Sequence, residues 1–257
     1  MDIVSDLGDE LRAALNDGQL AVEYQPQFDL HAATPAPGRP VAVEALCRWH
    51  HPTRGLVMPD VFIPIAEREH IITALDAHVL LLAAEQVRRW QLDGHRLGLS
   101  VNASPTHMSP EYADAVIQAL DDFGLSHGSL AIEITESPAP QLLPEAIAIL
   151  PRLRSEGIAV SLDDFGGGDT TIDMLDSLPI DEIKIDRSIT QRTDRAADVE
   201  VAAVVAHADR HGWRVVAEGI ETEADLERSR RRGCHRGQGF LWGPPVPAAR
   251  LEEMLAS

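Results

Sequence analysis

The feature that most constrains this chain is a regular alternation of short apolar runs with longer segments of helical periodicity. Eight runs read as strands, at residues 20–25, 41–49, 97–102, 130–134, 158–163, 182–185, 214–217 and 236–240. Each is a handful of residues bounded by turn or cap signals. Helices are expected at 7–16, 59–67 (interrupted by Pro64), 71–90, 110–123, 144–155, 170–178, 196–211, 221–232 and 247–255. Ser109-Pro110 is an N-cap followed by a proline at the first helical position, and Gly124, Gly212 and Gly233 are stops. Strands that alternate with helices specify a mostly parallel α/β sheet. Eight such units in 257 residues favour a closed (β/α)8 TIM-type barrel over an open doubly wound sheet. The first connection is the exception. Residues 29–40 carry Pro35, Pro37, Gly38 and Pro40 and cannot hold a crossover helix, so the first strand is expected antiparallel to the second. Nothing resembles a linker or an internal repeat, and residues 1–257 read as a single domain.

In such a barrel, chemistry gathers where the strands end at their C-terminal rim. Those ends carry Asn102, Glu133 with Glu136, Asp163-Asp164, Lys184, Glu218 and Gln238. Glu44 lies inside a strand, in Val43-Glu44-Ala45-Leu46, where a carboxylate is costly unless paired or metal-bound. Asp163 and Asp164 are adjacent like charges and need a cation, a shared proton or solvent. Taken singly, each is a rim or turn residue like any other, and an acidic rim can simply solvate loops. Brought together they form an oxygen-rich set suited to hard cations such as Mg²⁺ or Mn²⁺ rather than zinc, and their number fits two ions.

Composition sharpens this in two places. The formal net charge is −19, which argues against binding a nucleic-acid polymer. An anionic substrate would need cations to approach. Of 22 Lys plus Arg residues, Lys184 is the single lysine. It sits between isoleucines in Ile183-Lys184-Ile185-Asp186 and is either a surface residue or a functional ammonium. Arg48, beside Trp49, could fork onto a phosphate or form a rim ion pair. His207 and His211 are spaced i, i+4, as metal ligands can be. No third ligand is visible near them in the sequence, and they read as a solvated helix face. Phe165-Gly166-Gly167-Gly168 lacks the lysine and hydroxyl residue of a phosphate-cradling loop. Cys47 reads as a core residue. Two cysteines, no apolar run near the ~20 residues of a membrane span and no leader-like start lead to the expectation of a cytoplasmic protein.

Glu44-Ala45-Leu46 with Arg48-Trp49 resembles the signature of EAL-domain phosphodiesterases, which hydrolyse cyclic di-GMP. Tyr24-Gln25-Pro26, Phe62-Ile63-Pro64-Ile65-Ala66-Glu67, Val101-Asn102, Glu133-Ile134-Thr135-Glu136-Ser137, Asp163-Asp164-Phe165-Gly166, Ile183-Lys184-Ile185-Asp186, Ala217-Glu218-Gly219-Ile220-Glu221 and Gln238-Gly239-Phe240 follow in the family's order. The resemblance implies a modified (β/α)8 barrel with an antiparallel first strand. It implies that Glu44, Asn102, Glu133 and Asp163 hold one metal, and that Asp163, Asp164 and Glu218 hold a second. Lys184 would orient or deprotonate the attacking water, and Glu136 would anchor the loop after Asp164. Gln25, Arg48, Asp186 and Gln238 would contact guanine or phosphate. The product would be linear pGpG and the state a homodimer.

One segment departs from the family. Where relatives place an aromatic and two serines after Asp-Asp-Phe-Gly, this chain has Gly167-Gly168-Asp169-Thr170-Thr171; Cys47 and Phe240 are milder changes. Three functions therefore stand beside one another: a metal-dependent phosphodiesterase, a receptor that binds cyclic di-GMP without turnover, and an interaction module.

Overall fold

In the computed structural model of the chain, which describes residues 3–32, 38–105, 108–126, 128–136, 143–168 and 170–256, all eight expected strands are present. They are β1 (Leu20–Asp29), β2 (Ala42–His51), β4 (Gly98–Asn102), β5 (Leu130–Thr135), β6 (Ala159–Phe165), β7 (Glu182–Ile185), β8 (Arg214–Ala217) and β9 (Arg236–Gln238). Two more went unread: β3 (Gly55–Val57), paired to the end of β2, and β10 (Val246–Pro247), paired to β1. Strands of two or three residues carry too little periodicity to register in sequence.

The order β1-β9-β8-β7-β6-β5-β4-β2, closed by β1 against β2, makes an eight-stranded barrel. Neighbours from β2 through β9 are parallel, and β1 is antiparallel to both β2 and β9. The cause is the connection's sequence, whose prolines cannot hold a crossover helix. Part of that connection, residues 33–37, lies outside the described residues, as do Ser137 and Asp169.

β1 runs four residues beyond the expected end, through Pro26. A proline inside a closed barrel would normally cost a ladder bond. Gln27 turns its carbonyl toward β2, accepting from Val41 N at 2.9 Å. Backbone groups alternate sides along a strand, so Pro26 faces its nitrogen the other way. On that edge β10 pairs with residues 23 and 24 and β9 with 27 to 29. The proline falls in the gap, where no ladder donor is required.

The helices are α1 (Ile3–Ala14), α2 (Pro59–Arg68), α3 (Ile72–Leu92), α4 (Pro110–Phe123), α5 (Pro144–Ser155), α6 (Ile172–Leu175), α7 (Arg187–Thr190), α8 (Arg195–His211), α9 (Glu223–Arg232) and α10 (Ala248–Ala256). Pro64 does not interrupt α2. It removes one helical bond, and the burial of Phe62, Ile65 and Ala66 at roughly 1.5–3 kcal/mol for each large side chain outweighs the loss. The expected helix at 170–178 shrinks to the four residues of α6, and α7 was not anticipated.

Outward-facing barrel residues such as Ile132, Val160 and Val215 and the inner faces of the helices form the main core. A second cluster joins α1, α2 and the start of α3 to Trp49. It seals the barrel flank where β1 and β2 break the helix-per-strand pattern.

Candidate active site

The parallel register sets the C-terminal ends of β4 to β8 side by side, and the site forms there. Lys184, on β7, is 1% exposed. Its Nζ lies 2.8 Å from Glu133 Oε2, 3.0 Å from Asp163 Oδ1, 2.9 Å from Glu218 Oε1 and 3.3 Å from Glu44 Oε2. Four carboxylates, three at the ends of β5, β6 and β8 and Glu44 within β2, thus converge on the chain's one lysine ammonium. Asn102 donates to Glu44 Oε1 at 2.9 Å, and Gln238 donates to Glu44 Oε2 and to Gln25 Oε1 at 2.6 and 2.8 Å. The amides orient Glu44, which lies opposite Gln25 across the β1–β2 ladder.

Two consecutive strand residues point to opposite faces, yet Asp163 and Asp164 serve one site. The ladder between β6 and β7 shifts register between Leu162 and Phe165, and Asp164 adopts φ 59°. A non-glycine residue there carries strain. The bulge turns the second carboxylate back beside the first. Two carboxylate triads result, Glu44/Glu133/Asp163 and Asp163/Asp164/Glu218, each with oxygens within 4.8 Å of one another. Asp163 belongs to both.

The electrostatics are those of a crowded acidic pocket. Burial, opposed by Lys184, pushes Glu133 and Glu218 well above the usual carboxylate range, and their acidic neighbours add to the rise. Asp163 is raised for the same reason. Asp164 is pushed up to about 6 by burial and by Asp163. Glu44 goes the other way: burial would raise it, but Lys184 and the hydrogen bonds from Gln238 and Asn102 hold it low. Lys184 is raised well above its usual value, because the carboxylates outweigh its desolvation. Glu133 Oε1 is buried without a hydrogen-bond partner, an oxygen that a cation would satisfy. All-oxygen donors of this kind fit Mg²⁺ or Mn²⁺.

Glu136 stands one step outside the cluster. Its amide donates to Asp163 O at 3.1 Å, and its Oε2 accepts from Gly166 N at 3.4 Å. Asp186 caps α7, accepting from Ser188 N at 2.9 Å. With Gln25, Asp164, Glu218, Gln238 and the exposed Phe240 it borders a rim cleft of ≈ 320 Å³. Arg48 is placed differently. It lies four residues beyond Glu44 on β2, about 13 Å along the strand at 3.3 Å per residue. Its Nε is paired to Glu23 at 2.7 Å.

A second cleft, ≈ 310 Å³, opens on the other flank between Glu44, Asn102 and the apolar residues Leu46, Ile63, Leu75 and Val79. Asp76, overlooked in sequence, lines it. Burial pushes its carboxyl up to about 7. The available signal was an acid one turn after Ile72 on the buried stripe of α3.

The barrel and the acidic mouth define a (β/α)8 protein whose carboxylate clusters could hold hard divalent cations. The chain belongs to the EAL domain family, whose model matches residues 8–245. It is 40% identical over 251 residues to a Pseudomonas aeruginosa protein named cyclic di-GMP phosphodiesterase NbdA, covering 96% of this chain and 31% of that protein. It is 38% identical over 253 residues to the P. aeruginosa bifunctional diguanylate cyclase/cyclic di-GMP phosphodiesterase MucR, covering 96% and 36%. A solved structure described as the PaMucR phosphodiesterase in complex with c-di-GMP superposes with TM-score 0.85 at 37% identity, covering 96% of this chain and 99% of that one. The chain spans about a third of the length of these curated relatives. Among the described residues, no helix is long and apolar enough to cross a membrane.

Proposed function

We propose that this chain hydrolyses cyclic di-GMP to linear 5′-pGpG in the cytoplasm, with two Mg²⁺ or Mn²⁺ ions at the barrel mouth. The observation that carries the reading is the pair of triads sharing Asp163 around Lys184. Glu44, Asn102, Glu133 and Asp163 would hold one ion, and Asp163, Asp164 and Glu218 the other. Such a pair supplies water activation and stabilises charge on the attacking and leaving oxygens.

The chain's own groups do the rest. Lys184, surrounded by acids, keeps its proton, so it orients the attacking water as a donor and holds the carboxylates in place. Water attacks phosphorus, the P–O3′ bond breaks, and the proton ends on the 3′ oxygen. Glu136, tied to Asp163 and Gly166, holds the loop after β6. The two clefts flanking the mouth give each guanine a place, with Gln25, Asp186 and Gln238 on one side; Arg48 would have to leave Glu23 to reach a phosphate. The homodimer implied by the family resemblance belongs to the same reading, and sedimentation tests it.

The deciding experiment incubates the protein with cyclic di-GMP and either metal and looks for pGpG by chromatography. No pGpG at any metal concentration overturns the reading. Tight binding without turnover would select a receptor instead, which the altered segment 167–171 favours.

A further inference from the structure

We propose that Asp176, His207 and His211 form a second metal site, separate from the acidic mouth, for a borderline transition ion of the Zn²⁺ type. The sequence places the two histidines one turn apart on α8 but shows no third ligand. Tertiary structure supplies it. Asp176 follows α6, and the chain then enters β7; His211 ends α8, just before β8. β7 and β8 are paired neighbours, so both segments meet at the strands' N-terminal ends, the end of the barrel away from the mouth. Asp176 Oδ1 lies 3.1 Å from His207 Nε2 and 3.4 Å from His211 Nε2. All three atoms fall within 4.8 Å of one another. Ligand atoms of a tetrahedral zinc are about 3.3 Å apart, as bonds of 2.0–2.1 Å require.

Two further observations point to a cation. His207 is 4% exposed, so it is no solvated face, and its Nε2 meets the Asp176 carboxylate at 3.1 Å without hydrogen-bond geometry. His211 Nδ1 lies 3.1 Å from the His207 carbonyl, which can only accept, so Nδ1 carries the proton. In the neutral ring Nε2 then turns a lone pair toward a carboxylate. Two acceptors facing each other need a proton or a metal between them. A hydrogen bond of this kind on the other ring nitrogen is what orients a metal-binding imidazole. Trp213 stacks on His211 with ring centroids 4.5 Å apart, fixing its plane.

One contact must change on binding. Arg210 donates to His207 Nδ1 at 3.2 Å, which a ring liganded through Nε2 cannot accept. Arg210 is exposed and free to swing away. Two imidazoles and one carboxylate suit zinc, with water completing the shell, whereas the mouth's oxygens suit Mg²⁺. Bound metal would clip the segment after α6, downstream of β6 with Asp163 and Asp164, to α8.

The test is calorimetric titration of Zn²⁺ into the full chain with the mouth saturated by excess Mg²⁺. One equivalent should bind, and Co²⁺ in its place should give the visible bands of a tetrahedral site. His211→Ala, at a half-exposed position that leaves the core intact, should weaken binding by at least about tenfold, as should Asp176→Asn. Arg210→Ala should tighten it. Zinc should raise the melting temperature of the wild type but not of His211→Ala. Absence of zinc binding, or identical binding by His211→Ala and the wild type, overturns the proposal.

Discussion

At the residue scale the decisive group is Lys184. A buried ammonium among four carboxylates holds together a site that would repel itself, and removing one partner of a buried ion pair typically costs 3–5 kcal/mol. Lys184→Met is therefore expected to lose about that much stability in EDTA and to recover it when Mg²⁺ replaces the missing charge. Its turnover should stay at least about 10²-fold down even then, because the ion replaces the charge and not the donor. Chemical denaturation with and without metal, beside the pGpG assay, checks both. Asp76 tests the electrostatics away from the mouth. Its carboxyl sits at about 7 in the folded chain against an ordinary 3.8, so the native state keeps a proton that the unfolded state releases. Stability should fall as pH rises from about 4 to about 7, and Asp76→Asn should remove that dependence, by at most about 4 kcal/mol. Parallel pH slopes for the two proteins in urea would sink this. Lys184 was legible in sequence because a lone lysine between isoleucines needs a reason. Asp76 was not, because its carboxylate becomes unusual only once Leu75, Val79 and β2 enclose it.

At the element scale the loop after β6 links the metal-competent carboxylates to the outer helices. Gly166 has φ 95°, and a Cβ there would fall on Ile189 of α7, while one on Gly168 would come within 2.7 Å of Glu136 Oε1. Gly166→Ala should cost about 1–3 kcal/mol and lower turnover by shifting Asp163 and Asp164. Adding Ile189→Ala should return the steric part and leave the backbone part. A double-mutant cycle by denaturation measures the split; strict additivity would show that the clash is not the cause. The regular elements were readable because period and caps agree, as at Ser109, whose side chain accepts a helix N-terminal amide as its type predicts; the structure adds Asp194 and Thr222 as caps of α8 and α9. The register shift in β6, the continuation of β1 past Pro26 and the unbroken α2 were not, since each depends on what lies on the neighbouring strand or beneath the helix.

At the scale of the molecule, a chain of formal charge −19 that brings Glu44, Glu133, Asp163, Asp164 and Glu218 together at one mouth should repel a dianionic nucleotide until divalent ions arrive. Cyclic di-GMP affinity should fall more than about tenfold in EDTA and return with Mg²⁺ or Mn²⁺, since a lost charge-assisted contact of ~1.5–3 kcal/mol is worth that much. Equilibrium dialysis reads it, and metal-independent binding would contradict the proposed role of the ions in holding the nucleotide. The sequence by itself determined the α/β alternation, the antiparallel start and the residue types at the strand ends, because periodicity, proline and caps act over a few neighbouring residues. Only the tertiary structure decided that Asp163 and Asp164 face one site, that Arg48 is held by Glu23, and that Asp176 meets His207 and His211. The first depends on the register of β6 against β7, and the other two join residues tens of positions apart, so that the pairing of distant segments, not local preference, brings them within bonding distance.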